Sequence, residues 1–313
     1  MKDKRTLTYT IENSTAMTVG EWLDAHQFPR KTMKELFLAK GVRLDGQICT
    51  AKSGLSQGMV LEILPLKERI DHDPIEMPLV IAYEDEDILI IDKPSGITMN
   101  SKGQVSLANG VAYYFKVHKI YGKVRFLNRL DRDTSGLVVV AKHGLAQHYY
   151  QLQMDDNRLE KWYRATVQGR VERSHDVLEL PLRKSIDGIH QEVHPEGAMT
   201  KTEYEVLSYD TSQDTTEVRI RLWTGKTHQI RVTMAHIGHP LVHDSLYSGA
   251  TQAVEYKDGD LGMDTTQVHT GVQNDSENTV KVPTQNAEKT FALRAYRLVC
   301  YHMRTGQQIV VEV

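Results

Sequence analysis

The segment NRLDRDTSGLVVVAK, residues 128–142, decides the fold around it. Its second half is an uninterrupted run of Leu and Val, and the lack of polar alternation predicts a strand that is buried on both faces. A Thr-Ser-Gly turn at 134–136 leads into this strand, and Asp131 and Asp133 lie just before it. Acids at the mouth of a core strand can be held rigidly and partly away from water. Asp131 and Asp133 are therefore candidate reactive carboxylates, although both could simply shape the turn and pair with the neighbouring arginines.

Length and composition indicate a globular protein with one large and one small domain. The chain has 313 residues, of which 40% are hydrophobic and 25% charged, as is ordinary for a soluble protein with a substantial core. Two distant cysteines without CxxC spacing argue against structural zinc and a disulfide framework. No apolar run approaches the ~18 residues that span a bilayer, and the N-terminus lacks an apolar signal core. We therefore expect a cytoplasmic monomer without a membrane partner.

The pattern along most of the chain predicts an α+β fold. From about residue 78 onward, strand-like segments dominate, and helical stretches lie near 108–122, 144–157 and 227–237. Because the strands outnumber the helices and do not alternate regularly with them, we expect a mixed, largely antiparallel sheet flanked by helices.

The N-terminal region has the signals of a small, basic unit. Thr18 and Glu21 form a capping-box pattern at a helix start, a second helix is predicted at 30–40, and an Asp-Gly turn at 45–46 indicates a hairpin. Residues 28–54 contain six Lys or Arg against two acids, a net charge of +4 by this count. On composition alone, such a run is a solvated helix face, because the whole chain has a net charge of −3.

Two polar segments suggest how the chain is divided. Residues 66–77 are charged and contain proline, which is typical of a linker. They indicate a small domain with its linker at 1–75 and a large domain at 76–313. Residues 249–290 are polar and poor in large apolar side chains, which predicts a long, mobile surface insertion in the large domain.

Four segments resemble motifs of the RluA-type pseudouridine synthases and occur in the same order as in that family. They are the Arg-Leu-Asp segment at 128–142, IDKPSGI at 91–97, KWYRATVQG at 161–169 and TGKTHQIRVTMAHIGHPLVHDSLY at 224–247. The resemblance covers roughly residues 78–313. IDKPSGI is expected to form a loop that packs near the site.

This resemblance implies a reaction and assigns roles to residues. Members of the family isomerise uridine to pseudouridine in RNA and need no metal or organic cofactor. The Asp that follows Arg-Leu is catalytic, which implies Asp131 here, and Arg231 would keep it ionised against the effect of burial. Tyr163 would pack on a uracil taken out of its stack. The alternatives are a helix-surface arginine at 231 and a core tyrosine at 163.

Further residues are expected to bind RNA. Five of them lie in or beside the motifs and are predicted to contact the substrate: Asn128, Arg129, Lys226, His228 and Gln229. Asp133 is expected to be structural and to accept hydrogen bonds from the turn. The N-terminal helices and hairpin resemble an S4 RNA-binding domain, which implies that Arg30, Lys31 and Lys34 contact phosphates. Phosphate contacts position RNA without reading its sequence.

The chain departs from the family pattern at three motif positions. Asn128 stands where the family usually has His, Lys226 where it has Arg, and Arg294 where it has His. The departures put in doubt any transfer of substrate identity from other members. Four histidines at 228–243 could suggest a metal site, but the family's motif binds no metal, so none is expected.

RNA, either ribosomal or transfer RNA, is the expected partner, and two other functions remain open at this point. One is a non-catalytic RNA-binding protein on the same fold. The other is a glycoside hydrolase that uses Asp131 and Asp133, which would require the two carboxylates to face each other across a sugar at ~5–10 Å. The carboxylate of the leading hypothesis could attack C1′ or remove a proton from the sugar, and the sequence does not choose between these.

Overall fold

The computed structural model describes residues 3–12, 17–249 and 292–313. The insertion predicted at 249–290 therefore lies, apart from its first residue, outside the described residues. Within these ranges the strands form two sheets, one of four strands near the N-terminus and one of eleven strands that fills the rest. The larger sheet is mixed and mostly antiparallel, with helices against it, which confirms the predicted α+β fold.

The N-terminal unit folds as its local signals predict. Its elements are β1 (Leu7–Thr10), α1 (Val19–Ala25), α2 (Arg30–Leu38), β2 (Val42–Leu44), β3 (Gln47–Ile48) and β4 (Val60–Ile63). The capping box before α1 is present, since the Glu21 carboxylate accepts the Thr18 backbone N–H at 2.8 Å and the Thr18 hydroxyl accepts the Glu21 N–H at 3.3 Å. The β2–β3 turn has Asp45 and Gly46 at positive φ, as an Asp-Gly hairpin turn requires.

The larger unit is built on one long sheet. Its strands are β5 (Val80–Glu84), β6 (Ile88–Lys93), β7 (Arg125–Phe126), β8 (Ser135–Ala141), β9 (Glu160–Gln168), β10 (His175–Lys184), β11 (Gln191–Val193), β12 (Ala198–Asp210), β13 (Thr215–Leu222), β14 (Leu293–Tyr301) and β15 (Gln308–Glu312). Its helices are α3 (Leu107–Val117), α4 (Gly144–Asp155) and α5 (Gln229–His236). The order of the main path is β11-β10-β12-β13-β9-β14-β8-β6-β5, with β15 beside β14 and β7 beside β8.

The centre of this sheet is covered on both faces. Along β8, Val138 and Val140 belong to the core cluster that contains α3, while Leu137 and Val139 belong to the cluster that contains α4. The predicted strand with two buried faces is therefore confirmed. The three predicted helical stretches are also confirmed, although α3 ends at Val117 and not at 122. No helix within the described ranges is both long and apolar enough to cross a bilayer.

The segment predicted as a linker lies against the larger unit. The Glu68 N–H donates to the Tyr121 carbonyl at 3.1 Å, the Asp71 carboxylate accepts the Val124 N–H at 2.9 Å, and the Ile75 N–H donates to the Asn109 carbonyl at 3.2 Å. Residues 66–77 therefore form neither a helix nor a strand, but they are hydrogen-bonded to the larger unit. The domain boundary near residue 75 stays a prediction.

A second contact joins the N-terminal unit to the sheet. Arg304, which follows β14, donates to both carboxylate oxygens of the buried Asp87 at 2.6 and 2.8 Å. The same guanidinium donates to the backbone carbonyls of residues 4–6, just before β1. Leu145 of α4 packs in the N-terminal core as well. The N-terminal unit is thus held through side chains, in addition to the chain connection.

The C-terminal strand β14 lies between β8 and β9. It pairs with β8 in parallel, with Ala295 opposite Gly136, and with β9 in antiparallel, with Ala295 opposite Tyr163. Gly136 has φ +112°, and a Cβ atom on it would lie 2.1 Å from the Ala295 carbonyl oxygen. A side chain at 136 is therefore incompatible with this strand pairing.

We predict that Gly136→Ala lowers the free energy of unfolding by about 3 kcal/mol or more, because backbone strain and a backbone clash add together. Gly144→Ala is the matched control, since a Cβ at the start of α4 would meet no atom within 4 Å. The control should be neutral or slightly stabilising. Urea unfolding of both variants measures the difference, and equal midpoints would show that the approach of β14 to Gly136 is unimportant.

Candidate active site

Asp131 lies on the turn that leads into β8. The preceding chain runs back along β8, with the Leu127 N–H donating to the Val139 carbonyl at 2.8 Å. The Asn128 amide fastens this segment by donating to the Leu137 carbonyl at 3.0 Å and accepting the Val139 N–H at 2.8 Å. Both polar atoms of Asn128 are therefore used inside the core, where they position the turn, and its predicted role in substrate binding stays a prediction.

The IDKPSGI loop fastens the same turn from the other side. The Lys93 ammonium is fully buried and donates to the backbone carbonyls of Pro94, Ile97 and Arg132, each at 2.9 Å. The Ser95 hydroxyl donates to the Asp133 carbonyl at 2.6 Å. Burial lowers the pKa of Lys93 to about 8, although the charges of Asp133 and Asp131 oppose this. The loop was predicted to pack near the site, but the sequence did not show that its lysine holds the turn of Asp131.

Arg231 is the cation nearest to Asp131, but its strongest partner is a different acid. Its Nη1 lies 3.6 Å from Asp131 Oδ2. Its Nε and Nη2 bind both oxygens of Asp244 at 2.7 Å, and Asp244 is fully buried. Burial alone would lower the pKa of Arg231, but the hydrogen bonds and charge of Asp244, together with Asp131, raise it. Arg231 is only 7% exposed, so it is not a helix-surface arginine.

His228 approaches the same carboxylate oxygen from the end of α5. Its Nε2 lies 4.0 Å from Asp131 Oδ2, and its Nδ1 lies 2.8 Å from the Tyr247 hydroxyl. Burial lowers the pKa of His228 against the charge of Asp131, so the ring is neutral at neutral pH. Tyr247 also lies under Arg231, with the guanidinium carbon 5.0 Å from the ring centroid. The carboxylate of Asp131 is thus flanked by a cationic guanidinium and a neutral imidazole.

Tyr163 reaches the site from β9. It is 4% exposed and belongs to the core, yet it lines the cleft that contains Asp131. Its strand lies two places from β8, with β14 between them, so the two chains are ~10 Å apart at this level. Burial raises the pKa of Tyr163, and the charge of Asp131 raises it further. The hydroxyl is therefore protonated at neutral pH.

The cleft is narrow and combines residues from three of the four motif segments, since IDKPSGI contributes none. Its volume is about 40 Å³, room for little more than one water molecule. Arg129 and Lys226 line it and are exposed. Gln229 also lines it, but its amide donates to Lys201 and Thr202 and accepts from Thr224 and Lys226. The side chain of Gln229 therefore holds the loop before α5, and its predicted substrate contact stays a prediction.

Two predicted features of the sequence lie away from the cleft. The Asp133 carboxylate accepts from the guanidinium of Arg132, its neighbour in the turn, at 3.0 and 3.2 Å, which agrees with the structural role predicted for it. Because Asp133 does not line the cleft, it cannot act with Asp131 as a glycosidase pair. Arg30, Lys31 and Lys34 are exposed on α2 of the N-terminal unit, and Arg30 pairs with Asp24.

Asp244, Tyr247 and Lys93 are functional candidates that sequence reasoning did not single out. All three lie inside the quoted motifs, in HPLVHDSLY and IDKPSGI. The motifs therefore marked these residues, but the sequence did not indicate what each of them does. Among the described residues, no group of three or more His, Cys, Asp or Glu side chains is placed to hold a metal ion.

Comparisons with known proteins agree with this geometry. Residues 87–236 match the RNA pseudouridylate synthase family. The chain is 31% identical to the RNA pseudouridine synthase YjbO of Bacillus subtilis over 245 residues, which are 76% of this chain and 86% of that protein. It is 34% identical over 260 residues to the ribosomal large subunit pseudouridine synthase D of Escherichia coli, covering 80% of this chain and 78% of that protein.

The fold also resembles a solved structure. The human RNA pseudouridylate synthase domain containing 1 superposes with a TM-score of 0.54 at 20% sequence identity, covering 77% of this chain and 86% of that chain. At this identity the likeness shows the shared fold alone.

We predict that Asp244→Asn destabilises the protein by about 3 kcal/mol, because it leaves the buried Arg231 without its main counter-charge. Asp24→Asn is the matched control, since Asp24 also binds an arginine with both oxygens but on the surface. Exposed pairs contribute little, so the control should unfold like the wild type. Thermal unfolding compares the two, and equal losses would contradict the importance of burial at Asp244.

Proposed function

Because the chain belongs to the RNA pseudouridylate synthase family and is an RNA pseudouridine synthase, we propose that Asp131 is its catalytic carboxylate and that ribosomal RNA is its substrate. The observation that supports the first part most directly is the position of Asp131 Oδ2. It faces a cleft lined by Tyr163, with Arg231 at 3.6 Å and His228 at 4.0 Å. The proposal for ribosomal RNA rests on relatives, among them the enzymes of Escherichia coli and Yersinia pestis that are named for the large ribosomal subunit.

The reaction rearranges one nucleoside without adding or removing atoms. The bond between N1 of uracil and C1′ of the ribose breaks, the base turns, and C5 bonds to C1′. A proton then leaves C5, and N1 gains one. The carboxylate of Asp131 either attacks C1′ or takes a proton from the sugar, and in both cases it must be ionised when the base is in place.

The surroundings of Asp131 keep an anionic oxygen available. Both flanking nitrogens lie beyond the usual hydrogen-bond distance of ~2.7–3.2 Å, so they favour the charge without occupying the oxygen. Arg231 provides the positive charge, and its bond to Asp244 keeps the guanidinium from closing onto Asp131. The reacting oxygen therefore stays open toward the cleft.

The cleft has to widen to accept a base. About 40 Å³ is far below the ~300–1,000 Å³ of ordinary ligand pockets. Tyr163 is held by the sheet, whereas Arg129 and Lys226 are exposed at the rim. We assign Tyr163 as the fixed surface against which the uracil packs, and Arg129 and Lys226 as the side chains that move aside to contact the RNA backbone.

The N-terminal unit supplies a second contact with RNA in this proposal. Lys31 and Lys34 are exposed on α2, and Arg30 beside them shares its charge with Asp24. A surface of this kind suits phosphates, which bind cations without sequence preference. We propose an S4-like role for this unit, that of adding affinity while the larger unit performs the chemistry.

We predict that Asp131→Asn lowers the rate of pseudouridine formation by about 10²–10⁴-fold or more, because an amide can act neither as an anion nor as a base. RNA affinity should change little. Asp133→Asn is the matched control and should keep most of the activity, because its carboxylate pairs with Arg132 outside the cleft. Pseudouridine mapping on ribosomal RNA transcripts measures conversion, and an Asp131→Asn protein with wild-type turnover would refute the assignment.

We also predict that replacing Lys31 and Lys34 together by Ala lowers the slope of log K against log salt by about 2, since each lysine on a phosphate releases roughly one counterion. Turnover at saturating RNA should not change. The control replaces Arg170 and Arg173, exposed arginines that pair with acids, and should leave the slope as it is. An unchanged slope in the lysine variant would contradict the proposal that α2 binds RNA phosphates.

A further inference from the structure

His228 connects the proposed catalytic carboxylate to a tyrosine on the far side of its ring. The residue is in the left-handed conformation, with φ 53°, at the N-cap of α5. This conformation turns the ring so that Nε2 faces Asp131 Oδ2 at 4.0 Å while Nδ1 faces the Tyr247 hydroxyl at 2.8 Å. The two ring nitrogens therefore have different partners, and the position of the single proton of a neutral imidazole matters.

A third group, the backbone N–H of Gln191, indicates where that proton lies. The backbone N–H of Gln191, the first residue of β11, donates to the Tyr247 hydroxyl oxygen at 2.9 Å. A backbone N–H is always a donor, so the Tyr247 oxygen accepts there and has its own proton left to donate. Nδ1 of His228 is the acceptor at 2.8 Å, so donation to Nδ1 uses the hydroxyl proton, whereas acceptance from an Nδ1–H would leave that proton without a partner among the described residues. An imidazole that accepts at Nδ1 and is neutral carries its proton on Nε2.

Burial and nearby cationic groups favour the neutral form of the His228 ring, and two acids oppose them. The groups that act on the ring are Asp131 in the turn before β8, Arg231 in α5, Asp244 and Tyr247 in the loop after α5, and His190 before β11. Burial lowers the pKa of His228, and Arg231 and His190 lower it as well, against the charges of Asp131 and Asp244. The ring is therefore a neutral donor and not an imidazolium.

We propose that Tyr247 is a positioning residue that holds His228 in the tautomer whose Nε2–H faces Asp131. The inference rests on the proposed role of Asp131. In this tautomer a neutral N–H dipole favours the anionic oxygen without forming a full ion pair. In the other tautomer the Nε2 lone pair would face the carboxylate and repel it. Tyr247 thereby contacts both groups that flank Asp131, His228 through its hydroxyl and Arg231 through its ring.

The Tyr247→Phe variant of the full chain tests this directly. It keeps the ring under Arg231 and removes the proton that binds Nδ1. Nitrogen-15 NMR of the imidazoles, with His228 assigned by its loss in His228→Gln, reads the tautomer without turnover. We expect the Nε2–H form in the wild type at pH 8 and a mixture of tautomers in Tyr247→Phe. An Nδ1–H form or an imidazolium in the wild type, or an unchanged tautomer in Tyr247→Phe, would overturn the inference.

Turnover provides a second, independent measurement. Tyr247→Phe should lower kcat about 10-fold with RNA affinity unchanged. Tyr209→Phe, which removes a hydroxyl bonded to Asp214 at the far end of the β12–β13 hairpin, should keep wild-type kcat. His228→Gln places an amide N–H toward Asp131 and should keep at least about five times the activity of His228→Ala. Equal activity of those two variants would contradict a donor role at Nε2.

The two proposals fail in different ways. A wrong tautomer in the NMR spectrum refutes the role of Tyr247 and leaves Asp131 untouched. An active Asp131→Asn protein refutes the catalytic carboxylate, whatever the tautomer of His228.

Discussion

The site depends on the close approach of two backbones, at Gly136 and Ala295. This contact lets β14 lie between β8 and β9, so that the turn carrying Asp131 and the strand carrying Tyr163 come within two strand spacings of each other. Leu293 at the start of β14 then lines the cleft between them. Leu293 lies 162 positions after Asp131 and 130 positions after Tyr163, and it can close the site only because residue 136, at the start of β8, is a glycine.

The charged side chains around Asp131 fix one another's positions more than they attract Asp131. Arg231 binds Asp244 at 2.7 Å with two hydrogen bonds, whereas it lies 3.6 Å from Asp131. The buried acid fixes the direction of the guanidinium, and His228 stays neutral beside it. The cluster of Asp131, Arg231 and Asp244 has a net charge of −1 by count. Such a cluster suits the proposed role of Asp131, whose carboxylate must stay anionic and free of a short hydrogen bond until a sugar is placed against it.

The sequence predicted most of the fold because hydrophobic patterns are local. The run at 137–140 predicted a strand with two buried faces, and the capping box at Thr18 could be identified from two residues. The sequence also located the segments that meet at the cleft. It could not show what individual side chains bind there. The amides of Asn128 and Gln229 turn to backbone and core partners, and Arg231 binds Asp244, thirteen positions later, at a distance that only tertiary structure sets.

The same distinction explains why the three departures from the family pattern spare the reacting oxygen. The Asn128 amide gives one donor and one acceptor to the backbone of β8 and so holds the turn, without the titratable ring of the histidine that is usual in the family. Arg294 pairs with Asp92 at 2.7 Å, on the strand position next to the cleft-lining Leu293 but turned away from it. Lys226 lies at the exposed rim. None of these three side chains takes part in the contacts of Asp131 with Arg231 and His228.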